Sequence, residues 1–174
     1  MATERNLGCV VVAVDESEES MNALKWSLEN LRLRPASADG EQPAGTFTVL
    51  HVQPAPSIVS GISPAAIPFG GPSHVEVPAF AAAIEGHQRR ISEAILNHAL
   101  KICLEKNANV NTSIVVGDPK DVICDFTSNV KADLLVMGCR AIGPIKRMFL
   151  GSVSNFCINH VQCPVVVIKG TAQA

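Results

Sequence analysis

Long apolar runs are missing from this 174-residue chain. Nothing approaches the 18 or so consecutive hydrophobic residues that a membrane-spanning helix needs. The start, Met1-Ala2-Thr3-Glu4-Arg5-Asn6, lacks a basic head followed by an apolar core, and Ala2 stands where N-myristoylation requires glycine, so a cytoplasmic location is expected. The six cysteines include no C-x-x-C pair. The nearest spacing, Cys157 to Cys163, fits neither a zinc site nor a thioredoxin-like motif. Charged residues are only 17% of the chain and the net charge is −2. That near-neutrality excludes a surface built to coat nucleic acid. Hydrophobic residues, at 47%, are too many for a disordered chain. The length suits one domain, 1–174.

A further absence is local. No acidic residue follows Asp133, whereas Arg140, Lys146, Arg147 and Lys169 do. The C-terminal part therefore carries four positive charges, and the first 133 residues carry the balancing −6. Such a split points to a small anionic ligand rather than a polyanion.

The elements alternate. Cys9–Val14 is an uninterrupted apolar run, as in a strand buried on both faces. Asp15, with Glu18 three residues on, reads as the capping box of a helix carrying Met21, Leu24, Leu28 and Leu31 on one face. Residues 46–52 form a second strand. Residues 53–80 hold six of the eleven prolines and one charged residue, Glu76, and are expected to be a long loop insertion, either a mobile segment or a flap. A helix over 81–106, a strand over 110–116, a helix over 121–128, a strand over 134–137, a helix over 152–160 and a strand over 164–168 complete the pattern. Strict alternation of this kind predicts an α/β domain, an open five-stranded parallel sheet with helices on both faces. Ligands of such sheets bind beyond the carboxyl ends of the strands, here after Val14, Val52, Val116 and Met137.

The segment Met137-Gly138-Cys139-Arg140 through Gly151-Ser152-Val153-Ser154 has what an anion needs. Gly138 would let backbone approach a ligand, and Gly151-Ser152 opens a helix whose first amides are unpaired. Three basic side chains, Arg140, Lys146 and Arg147, lie between. Two common phosphate motifs fail. Gly143 is followed by Pro144-Ile145 rather than Lys-Ser/Thr, and the turn after the first strand, Asp15-Glu16-Ser17-Glu18-Glu19, contains no glycine. Val14, Val52 and Met137, at the ends of neighbouring strands, would form an apolar slot beside Asp15. His51, between Leu50 and Val52, reads as a hydrogen-bonded core residue. The remaining histidines show no metal-ligand spacing. Cys139 is the thiol whose basic surroundings would lower its pKa.

Val10 to Asp15 with Ser17, Leu50-His51-Val52, Val115-Val116-Gly117-Asp118-Pro119, and Met137-Gly138 through Gly151-Ser152-Val153 to Cys163-Pro164-Val165-Val166-Val167 resemble the universal stress protein (UspA-like) family, in its plant-type, ATP-binding branch. The resemblance runs from about residue 8 to 169. It implies a Rossmann-like fold of the adenine nucleotide alpha hydrolase-like kind. In the pattern Gly-x2-Gly-x9-Gly-Ser/Thr, Gly138, Gly151 and Ser152 match, while Ala141 stands in place of the second glycine. The resemblance further implies ATP or AMP, with or without Mg2+, in a pocket of Ala13, Val14, Asp15, Val52 and Met137. Gly138, Arg140, Ala141, Gly151, Ser152, Val153 and Ser154 would lie around the phosphates. It implies a homodimer through the last strand, 165–168, and a cytosolic stress-response role in signalling or protection. Asp15 is the one carboxylate near the motif, so slow hydrolysis at most is expected. The other reading is a nucleotide-independent, chaperone-like protein with a weakened site.

Overall fold

The computed structural model describes residues 6–40, 42–55, 76–139 and 150–169, with the backbone alone for 76–81. Five strands, β1 (Cys9–Val14), β2 (Thr46–Gln53), β3 (Val110–Val116), β4 (Leu134–Cys139) and β5 (Val165–Lys169), alternate with four helices. The helices are α1 (Glu18–Asn30), α2 (Glu76–Glu105), α3 (Pro119–Asn129) and α4 (Ser152–His160). All strand pairs are parallel, in the order β3-β2-β1-β4-β5.

β1 lies at the centre, and its uncharged, apolar sequence suits burial on both faces. Val10, Val11 and Val12 are fully buried. Val10, Val12 and Val14 pack with Met21 and Leu24 of α1 and with Ile95, Ala99 and Ile102 of α2. Val11 and Ala13 turn the other way, into a cluster with Ile123 of α3 and Cys157 of α4. The period-2 alternation of the strand thus sorts the helices into two layers, α1 and α2 on one face and α3 and α4 on the other.

Several boundaries move by a few residues, and two differences from expectation bear on the site. α2 starts at Glu76, so the helix includes Pro78. Proline is tolerated in a first turn, where its missing N–H would have had no helical acceptor. The segment expected to be an insertion is shorter at that end, and its residues 56–75 lie outside the described part. Asp15 is not the cap of α1. Ser17 is, accepting from the Ser20 amide, while the Asp15 carboxylate accepts from the Ser17 amide at 2.9 Å and from the Ser17 hydroxyl. A carboxylate two residues before the cap builds the turn that presents the cap.

Gly138 is set by packing against α1. A β-carbon there would sit 2.5 Å from the Glu19 carbonyl carbon and the Ser20 amide nitrogen. The first turn of α1 therefore rests directly on the β4 backbone. Gly138→Ala is expected to cost about 1–3 kcal/mol, because backbone on both sides must give way. Urea unfolding measures it, and an unchanged midpoint would show that the two elements separate freely.

Candidate functional site

Between β1 and β4 the chain reverses its direction of travel across the sheet: β2 and β3 are laid down on one side of β1, β4 and β5 on the other. α1 and α4 leave this point on opposite faces, and a cleft of about 290 Å³ opens at the carboxyl ends of the strands. Its floor follows from register. Ala13 pairs with Leu50 on one side and with Met137 on the other, so three side chains of equal parity lie abreast on the α3/α4 face. Ala13 is the smallest of the three and leaves a depression between its neighbours. Val52, two residues beyond Leu50, extends the same row.

One wall is the β1 tip. Val14, Asp15 and Ser20 line it, and the Ser20 hydroxyl lies 3.1 Å from the Asp15 amide and 3.0 Å from the Asp15 carbonyl. The opposite wall is Pro119 and Ile123 of α3, and the end is closed by Gly138 and by Gly151, Ser152, Val153 and Ser154 at the start of α4.

Helix α4 begins differently from the others that reach this edge. α1 is capped by the Ser17 side chain and has Glu18 and Glu19 in its first turn. α3 is capped by Asp118, whose carboxylate accepts from the Lys120 amide at 2.9 Å, and has Asp121 in its first turn. α4 is entered through Gly151, with no side-chain cap and no acidic residue in the first turn. Its first amides and its positive dipole end are therefore open to an external acceptor. Ser154, buried, returns its hydroxyl to the Gly151 carbonyl at 3.0 Å and fixes the entry turn.

Of the residues singled out in the sequence, Ala13, Val14, Asp15, Val52, Met137, Gly138, Gly151, Ser152, Val153 and Ser154 line this one cleft. Arg140 and Ala141, with Lys146 and Arg147, lie outside the described residues. Ser20, Leu50, Pro119 and Ile123 also line it and were not anticipated. Leu50 was discoverable, since it shares parity with Val52. Ser20, Pro119 and Ile123 are brought in by helix packing and leave no local signal. Gly138 lines the cleft and is also packed against the first turn of α1. Cys139, expected in the loop after the fourth strand, is the buried last residue of β4. Among the described residues no group of three or more potential metal ligands gathers, and no helix is long and apolar enough to cross a membrane.

The fold and cleft define a doubly wound α/β protein with an uncapped helix start at its switch point. The chain belongs to the universal stress protein family, whose model matches residues 8–169. A universal stress protein from Synechocystis is 28% identical over 165 residues, covering 93% of this chain and 97% of that one. A universal stress protein A-like protein from Arabidopsis thaliana is 41% identical over 78 residues, a match that spans 45% of each. Among solved structures, an Arabidopsis thaliana family member with AMP bound superposes with a TM-score of 0.60 at 28% identity, covering 94% of this chain and 92% of that one. The protein MJ0577 shares the fold, with a TM-score of 0.67 at 20% identity over 95% of this chain and 98% of that one.

Behind the cleft wall, the thiols of Cys124 on α3 and Cys157 on α4 hydrogen-bond to each other, and burial, then the neighbouring Cys124, pushes Cys157 up to about 12. Burial likewise raises Cys9, Cys103, Cys124 and Cys163. Folding thus favours the neutral thiols. Their contribution is whole below the ordinary value of 9.0 and is lost as the pH rises toward about 12, where the unfolded chain ionises and the folded one does not. The urea midpoint should fall between about pH 8 and about pH 10.5, and fall less steeply in Cys157→Ala. Equal slopes in the two proteins would show that Cys157 does not contribute.

Proposed function

We propose that this chain binds an adenine nucleotide in the cleft between β1 and β4 and acts as a cytosolic stress-response module, signalling or protecting through its ligand-bound state. The observation that carries the reading is the bare start of α4. Among the described residues, α1 and α3 start with a side-chain cap and an acid in the first turn, whereas α4 starts with neither, at the end of an apolar slot. A flat base fits over Ala13 between Leu50 and Met137, with Val52 beside it. The ribose lies toward Asp15, and the phosphates lie on the amides of Ser152, Val153 and Ser154, with Gly151 leaving room for them. Arg140 and Ala141, next in the chain after β4, belong to the phosphate end by their place in the motif. The AMP bound by the Arabidopsis relative supports adenine as the base.

ATP and AMP share everything but the outer phosphates. Where ATP is the ligand, Asp15 is the carboxylate lining the cleft that would hold an accompanying Mg2+, which would offset the phosphate charge. Asp15 is the one titratable group among the described residues lining the cleft, and it is already engaged by Ser17. A water has no other base to activate it, so binding rather than turnover is the function, with slow hydrolysis at most. The edge position of β5, with Val165–Ile168 half-buried, suits pairing with a second copy of the chain across a twofold.

Adenine nucleotide is expected among the molecules released from the purified protein, and AMP and ATP titrations should saturate at or below millimolar concentration. No release and no binding would defeat the reading and favour a nucleotide-independent interaction protein. Ser152→Glu separates ligand binding from folding. A carboxylate in the first turn of α4 favours the helix, yet it should weaken AMP by about tenfold or more, with thermal stability held or raised. Unchanged affinity would place the phosphates elsewhere.

A further inference from the structure

On the face of the sheet opposite the cleft floor, three buried polar side chains meet where the core is otherwise apolar: His51 and Gln53 of β2 and Ser92 of α2. His51 shares its parity with Phe47 and Val49, which pack against α1 and α2. Its imidazole nevertheless reaches the β1 tip. Nδ1 lies 2.9 Å from the carbonyl oxygen of Val14, the residue paired with His51 in the ladder and a wall of the cleft. A carbonyl only accepts, so Nδ1 carries the proton. Nε2 lies 3.1 Å from the Ser92 hydroxyl, which is 3.2 Å from the Gln53 side-chain amide. The Ser92 hydroxyl donates to the Gln53 side-chain oxygen and stands within hydrogen-bond distance of Nε2, so the three side chains form one chain of contacts between β2 and α2.

Val14 is the last residue of β1, where the ladder ends and the backbone must turn toward Ser17. From the α1 side Ser20 holds Asp15, and from the β2 side His51 holds Val14. The tip is clamped between them, and the His51 half of the clamp is anchored through Ser92 to α2.

We propose that His51 is a positioning residue for the cleft: by donating to the Val14 carbonyl it sets the height of the β1 tip against which a ligand lies. His51 does not touch the ligand. The proposal rests on the nucleotide reading for its ligand, but its geometry is a property of the free protein.

The two ring nitrogens can be removed separately. His51→Asn keeps a donor at the place of Nδ1 and loses Ser92. His51→Gln keeps a partner for Ser92 and loses Val14. AMP affinity by calorimetry, thermal unfolding without ligand, and the amide NMR signals of Asp15 and Ser17 in the free protein are measured for both. Both variants lose a buried hydrogen bond and should melt earlier. His51→Gln should bind AMP about tenfold more weakly and shift the Asp15 and Ser17 signals, while His51→Asn stays within about threefold of the parent with those signals in place. Equal losses of affinity in the two variants would overturn the proposal, because affinity would then follow stability alone. If the parent binds no AMP, the nucleotide reading fails, and the signals still decide. Movement in His51→Gln but not in His51→Asn upholds the clamp, and unmoved signals in both overturn it.

Discussion

The carboxyl edge of the sheet is shaped by one constraint, the burial of β1 on both faces. Val10, Val11 and Val12 have no exposure at all, so every backbone N–H and C=O along them must find a partner in the ladders to β2 and β4. Polar groups can be released only at the strand's ends. The amino end is closed by Asp133, whose carboxylate takes the amides of Gly8 and Cys9 at 2.7 and 2.9 Å. The carboxyl end is where Val14 and Asp15 turn out of the ladder, and the polar chemistry of the molecule gathers there: Ser17, Ser20, His51 and, on α4, the open amides.

Three helices begin near that edge with the same backbone geometry and different side chains. Ser17 with Glu18 and Glu19 satisfies and neutralises the start of α1, and Asp118 does the same for α3. Gly151 offers neither to α4. An isolated helix would lose little stability by this, about a few tenths of a kcal/mol, since glycine is tolerated at a cap. On the proposed reading the ligand phosphates take up these amides, and no carboxylate follows Asp133 in the chain to compete with them.

Much of this was legible in the residues. An apolar run such as Cys9–Val14 has few other fates than a doubly buried parallel strand, and the Gly151-Ser152 pair marks where α4 begins without a side-chain cap. The turn chemistry was misjudged because Asp15 and Ser17 are both good caps, and which of them serves depends on where the helix packs. The contact of Glu19 with Gly138 joins residues far apart in the chain, and no local pattern encodes it. Ser20, Pro119 and Ile123 escaped notice for the same reason: they reach the cleft through the tilt of α1 and α3, whereas Ala13, Val52 and Met137 are delivered by strand ends. His51 was foreseen as a core residue but not as a partner of the Val14 carbonyl, since strand parity assigns it to the other face.

The central place of β1 also has a consequence in time. β2 and β3 precede β4 in the chain, so during synthesis the first half-sheet can form while the second flank of β1 is still bare. That flank is an uncharged run, Cys9–Val14, with no lysine, proline or bulge to discourage a stranger's strand. It stays open until Leu134–Cys139 has left the ribosome, some 120 residues after β1 itself. The nascent chain is most exposed to mispairing in that interval, and the strand that seals it is also the one that completes the cleft.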